Sequence, residues 1–131
     1  MANQISPSNQ EIIDAALSLD LSVLVKGLMA RLSMPGVNIL QLLVEYKKFL
    51  AIKVISKDTS DPPNLSPSAL VDQAWHAHML YTAKYRAACT ALGADIDHSP
   101  AGADDEDSLR ENRFVLSTSY YKVVFNQAAP S

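Results

Sequence analysis

The chain has 131 residues, 48% hydrophobic and 19% charged, with a formal net charge of -3. That length suits one domain with room for about five helices, and that apolar content excludes disorder throughout. Its eleven Lys and Arg residues form no basic stripe among fourteen Asp and Glu, which excludes nucleic acid as the expected partner.

Ser8-Asn9-Gln10-Glu11 has the form of a capping box, in which a hydroxyl and a carboxylate satisfy backbone donors at a helix start. The apolar residues that follow predict a first helix from about Gln10 to Leu19. Asp20 is placed to cap a second helix carrying Leu21, Val23, Leu24, Val25, Leu28, Met29 and Leu32, which Met34-Pro35-Gly36 stops. Asn38 with Gln41 resembles a third capped start, and Ile39, Leu42, Leu43, Tyr46, Phe49 and Leu50 continue it with helical spacing to Ile55. Lys47, Lys48 and Lys53 mark its expected solvated side. The β-branched end, Ile52, Val54 and Ile55, leaves a strand open there.

Residues 57 to 67 hold three prolines and the polar run Asp58 to Asp61, a composition that reads as a connecting loop. Ser66-Pro67 then opens a fourth helix expected to run unbroken to Leu92, with Gly93 as its left-handed end. An acidic loop follows, and Ser108-Leu109-Arg110-Glu111 caps a last helix to about Asn126. Asp104 to Asp107 complement the positive end of that helix. The expected fold is all-α: a compact bundle of about five helices, one domain over residues 1 to 131.

The single cysteine, Cys89, allows no internal disulfide, and MANQISPSNQEII lacks the basic start and apolar run of a secretory signal. Apolar runs such as Val37 to Val44 fall short of the roughly 20 residues needed to cross a bilayer. The expected address is the cytoplasm, with no membrane partner.

Chemistry-bearing residues gather at Trp75-His76-Ala77-His78, with Cys89 and His98 downstream, and His and Cys are the usual ligands of zinc and iron. Helical geometry works against a shared ion. At about 100° per residue, His76 and His78 point to nearly opposite sides, and His78 and Cys89 are roughly 16 Å apart along one unbroken helix. Only pairs remain, one histidine or Cys89 with His98 folded back from the loop. His78 lies in an apolar stripe with Val71, Ala74, Trp75, Tyr81, Tyr85, Cys89 and Leu92, where a histidine is more often a neutral core residue bonded to a tyrosine or carbonyl than a ligand. His76 falls on the far side, toward solvent. Cys89 reads as inert packing with a raised thiol pKa, and Trp75, Tyr81 and Tyr85 read as core before they read as a stacking site. The loop from Asp95 to Glu106 mimics calcium-ligand spacing but puts Pro100 where a glycine belongs.

The order Glu45-Tyr46, Phe49-Leu50, Leu65-Ser66-Pro67, Val71-Asp72, Trp75-His76-Ala77-His78, Leu80, Tyr85, Cys89, Gly93 and His98-Ser99-Pro100 resembles the uncharacterised domain of the glycine-rich domain-containing proteins of plants, with fungal and bacterial relatives. Arg113, Thr118, Tyr121 and Phe125 are similar to that domain's closing helix, so the likeness covers about residues 38 to 126. It implies that the His98-Ser99-Pro100 turn packs back against the helix, bringing His98 toward Cys89 or His78. The expected function is a non-catalytic binding or interaction module for an unknown protein or small molecule, with no cofactor. In it Trp75, His78, Tyr85, Cys89 and His98 fix the packing of loop on helix. The alternative is a zinc- or iron-binding protein or metalloenzyme that uses His76 or His78 with His98.

Overall fold

The computed structural model describes residues 7–59, 63–97 and 107–125. They form six α-helices and no strand: α1 Pro7–Leu17, α2 Val25–Leu32, α3 Gly36–Ile55, α4 Ala69–Leu80, α5 Thr82–Leu92 and α6 Asp107–Phe125. A 3₁₀ turn, Ser22–Leu24, leads into α2. Asp20 precedes that turn, its carboxylate accepting from the Ser22 amide at 3.0 Å and the Ser22 hydroxyl at 2.7 Å, but it does not cap α2, which starts only at Val25. The caps expected at Ser8, Asn38, Ser66 and Ser108 are displaced, the last because α6 already starts at Asp107. α1 starts at Pro7, so Ser8 lies inside it, and α3 starts at Gly36 behind an extended Pro35, so Asn38 is already helical.

The helix α3 is the axis of the bundle, packing against α1, α2, α4 and α6. Its end settles the strand alternative in favour of helix, because covered neighbours on every side suit a segment apolar all round. Phe49, Leu50, Ala51, Ile52 and Lys53 are consecutive buried residues. Lys53 is therefore not on a solvated side, as its sequence suggested, but fully buried, while Lys47 and Lys48 are half-buried.

Three helices stop in the same way. After α2, α3 and α5 the chain enters the left-handed region at Ser33 (φ 52°), Lys57 (φ 61°) and Gly93 (φ 81°). The next amide then reaches back five residues in each case: Met34 to the Met29 carbonyl, Asp58 to Lys53 and Ala94 to Cys89. This is the Schellman arrangement, which satisfies carbonyls left open at a helix end. Only at Gly93 is the usual glycine present.

The expected fourth helix is two helices. Ser68, not Ser66, caps α4, its hydroxyl accepting from the Val71 amide at 3.2 Å. Tyr81 (φ -92°, ψ 75°) then breaks the run before α5. One unbroken helix would hold Trp75 and Tyr85 about 15 Å apart along its axis. In the structure the Trp75 indole Nε1 lies 2.9 Å from the Tyr85 hydroxyl, so the break folds α5 back beside α4. Leu80 and Tyr81 at the break are turned to solvent, 68% and 44% exposed, so Tyr81 is not the core residue that its place in the stripe suggested.

No single helix among the described residues is long and apolar enough to cross a membrane; the residues 22–32 and 36–55 together pass such a test only as a pair bent by 117°.

Candidate functional site

The conspicuous residues assemble around Tyr46 of α3. Its hydroxyl lies 2.6 Å from Nδ1 of His78, and both residues are buried. Burial pushes the Tyr46 phenol well above its ordinary pKa and holds the His78 imidazole down at about 4. Both partners are therefore neutral at neutral pH. A phenol that donates to Nδ1 requires the imidazole proton on Nε2, and a phenol that accepts requires it on Nδ1, so the tautomer sets the direction of this bond. The two rings meet edge to face at 5.6 Å, and Tyr85 closes on the other side of His78 at 5.1 Å.

Tyr85 links this cluster to the segment after α5. Its hydroxyl accepts from Trp75 Nε1 and donates to the Ile96 carbonyl at 2.7 Å. Asp97 extends the tie, its amide donating to the Thr59 carbonyl at 2.9 Å. The segment after Gly93 does fold back on the helices, through Ile96 rather than through a histidine. His98 itself lies outside the described residues, as do Ser99, Pro100 and most of the calcium-like loop.

Trp75, His78, Tyr85 and Cys89 are thus brought together. His76 is exposed on the opposite side of α4. The break at Tyr81 removes the premise that kept His78 and Cys89 apart, yet among the described residues no three His, Cys, Asp or Glu side chains are grouped to hold a metal ion. A histidine held near 4 is a poor general base at neutral pH. Burial pushes the Cys89 thiol up, which disfavours the nucleophilic thiolate. The arrangement is chemically a latch: one indole, two phenols and an imidazole satisfying each other and a main-chain carbonyl.

Replacing Tyr85 by Phe removes the donor to Ile96 and the acceptor of Trp75 Nε1 while keeping the ring. The expected result is a loss of about 1–3 kcal/mol in urea unfolding with unchanged helicity. A loss under about 0.5 kcal/mol, the scatter of surface substitutions, would mean that the latch holds nothing.

A second buried polar group lies below it. Lys53 Nζ meets Asp58 Oδ2 at 2.8 Å, and the same carboxylate accepts from the Asn64 and Leu65 amides, each at 2.8 Å. The ammonium also sits over the Trp75 and Phe49 rings, 5.4 and 6.0 Å from their centroids. Burial lowers the Lys53 pKa, and the Asp58 hydrogen bond works against that fall. Sequence reasoning placed Asp58 in a solvated loop and missed the pair.

The helix α6 is docked by a third group. The Ser117 hydroxyl donates to the Ser66 carbonyl at 2.8 Å and accepts from the Ser66 amide at 3.0 Å, while Arg113 Nε reaches the Ser66 hydroxyl at 2.9 Å. Tyr121 donates to Glu45. Between these contacts Phe49, Ile52, Val71 and Phe114 border a shallow crevice with about 20 Å³ of room, enough for roughly one water.

No family model matches the chain, and no match is found among curated proteins or solved structures.

Proposed function

We propose that this chain is a non-catalytic helical interaction module, and that it recognises its partner on an exposed surface instead of in the Trp-His-x-His cluster. The observation that carries this reading is the inward pairing of the cluster. Every buried side-chain nitrogen and oxygen among the described residues has a hydrogen-bond partner, and the His78, Tyr85 and Trp75 groups are committed to one another and to Ile96. Reactive sites more often keep an under-satisfied or titrating group facing a cleft. The residues that give the resemblance to the glycine-rich domain-containing proteins, Tyr46, Trp75, His78 and Tyr85 among them, are the ones that build the latch. The resemblance therefore supports a shared way of packing more than a shared chemistry.

Affinity capture from the source cells tests the reading, with wild type, the surface variants Leu40→Asp and Val123→Asp, and the cluster variant His78→Gln. A partner lost by a surface variant of unchanged melting temperature is the expected outcome. A turnover activity that disappears in His78→Gln while that variant stays folded would overturn it. The zinc or iron alternative needs His98 and has its own measurement. We expect protein purified without a histidine tag to carry no stoichiometric zinc or iron, and a chelator to leave its melting temperature unchanged, because a structural site adds several kcal/mol of folding energy. One metal per chain, lost on His76→Ala or His78→Ala, would favour the alternative.

A further inference from the structure

Three consecutive backbone amides tie α6 to the middle of the bundle. Those of Asn64 and Leu65 donate to the Asp58 carboxylate, itself buried against Lys53, and that of Ser66 donates to the Ser117 hydroxyl of α6. The Ser66 carbonyl accepts from Ser117 and the Ser66 hydroxyl from Arg113 Nε. Asp58 and α6 therefore grip neighbouring residues of one short run of backbone. Apart from this clamp α6 is lightly held. From Leu109 to Phe125 only Ser117, Tyr121 and Val124 are buried, while Leu109, Val115, Leu116 and Val123 face solvent and add nothing to the docking. Tyr121 packs with Ile52 and Leu65 in a small cluster apart from the main core, beside the incompletely filled crevice. A segment with few buried apolar contacts opens at a lower free energy than the whole fold.

From these contacts we propose that α6 is a cover that opens as one unit while α1 to α5 stay folded, and that Asp58 sets how readily it opens. The carboxylate does so by holding residues 64 to 66 in the shape the clamp needs. Electrostatics act in the same direction. The Arg113 charge opposes that of Lys53, so Asp58 is the anion that lets a buried ammonium and a docked Arg113 coexist. Opening breaks the Ser66 bonds and the Tyr121 bond to Glu45, and it bares the Ile52 and Leu65 surface that Tyr121 covers. The device stands whether or not the interaction-module reading does.

Native-state hydrogen exchange of the full chain, read by mass spectrometry, is the test. Amides in the middle of α6 are expected to exchange at least about tenfold faster than those in the middle of α3. Leu28→Ala, which damages the main core on α2, should speed exchange in α3 and leave α6 unaltered, because that core is intact in both the closed and the open form. Ile39→Val, a milder core change, serves the same purpose if Leu28→Ala does not fold. Ser117→Ala should speed α6 exchange about tenfold or more, through the lost bonds to Ser66. Asp58→Asn should also speed it, and by clearly less when Ser117 is already Ala, since both act through one clamp. Exchange in α6 that rises in step with α3 in the core variant would overturn the cover, because α6 would then be lost only with the whole fold. Equal effects of Asp58→Asn with and without Ser117 would overturn the control by Asp58, because the carboxylate would then act on the fold and not on the clamp.

Discussion

Replacing Asp58 by Ala is expected to lower the unfolding free energy by about 3–5 kcal/mol, one of the two largest effects of any single change considered for this fold. The carboxylate is the shared acceptor of a fully buried ammonium and of the Asn64 and Leu65 amides. Its removal leaves Lys53 charged or forced to lose its proton among the Phe49 and Trp75 rings, and leaves two amides unmet near the start of the segment that docks α6. The double variant Lys53→Met, Asp58→Ala should recover part of the loss, since a methionine in place of the ammonium has no desolvation cost. Full recovery is not expected because the two amides stay unmet. Urea midpoints for the four proteins of this cycle give the coupling. A single-variant loss under about 1 kcal/mol would mean that water reaches the pair.

The second large effect is a dependence of stability on pH. In the folded chain burial holds His78 down at about 4, against the ordinary 6.5 of an exposed histidine. Between those values the unfolded chain binds one more proton than the folded chain, so stability rises with pH across that window. The contribution is fully present above pH 6.5, falls as the pH drops toward 4, and levels off below. It amounts to about 3 kcal/mol at an interval of roughly two and a half units. Tyr46 and Tyr85, whose rings flank the imidazole, are held neutral by burial through the same range and do not share in the change. Other groups add their own pH dependence to the stability of the whole chain. The informative quantity is therefore the difference between wild type and His78→Gln, whose amide can still accept from Tyr46. Parallel stability curves for the two proteins from pH 7 to 4 would contradict the buried neutral state.

The helical class, the apolar stripe through Trp75, His78, Tyr85 and Cys89, and a neutral buried histidine bonded to a tyrosine or a carbonyl were all legible in the sequence. They depend on periodicity and on the rarity of an unpaired polar group in a core. What was not legible depends on tertiary context. Tyr81 is neither proline nor glycine, so nothing local announces the break between α4 and α5; the fold-back is made by the Trp75 and Tyr85 contact across ten residues of chain. Ser33 and Lys57 end helices in a conformation that the sequence signals only when it uses glycine, as at Gly93. Lys53 and Asp58 read as solvated because charge normally is. Their burial follows from α3 having neighbours all round, which its residues do not state one by one. Of the site residues, His98 is the one whose place in the cluster stays an expectation from the sequence.

The central claim is that the Trp-His-x-His cluster is an internal latch and that recognition happens elsewhere on the surface. The most direct test is the imidazole nitrogen shifts of His78 by NMR, followed through a pH titration and then with added zinc. The account predicts a neutral ring down to about pH 4, with shifts indifferent to zinc. A His78 that titrates near 6.5, or whose nitrogens move stoichiometrically with zinc, would contradict it and return the cluster to the list of reactive sites.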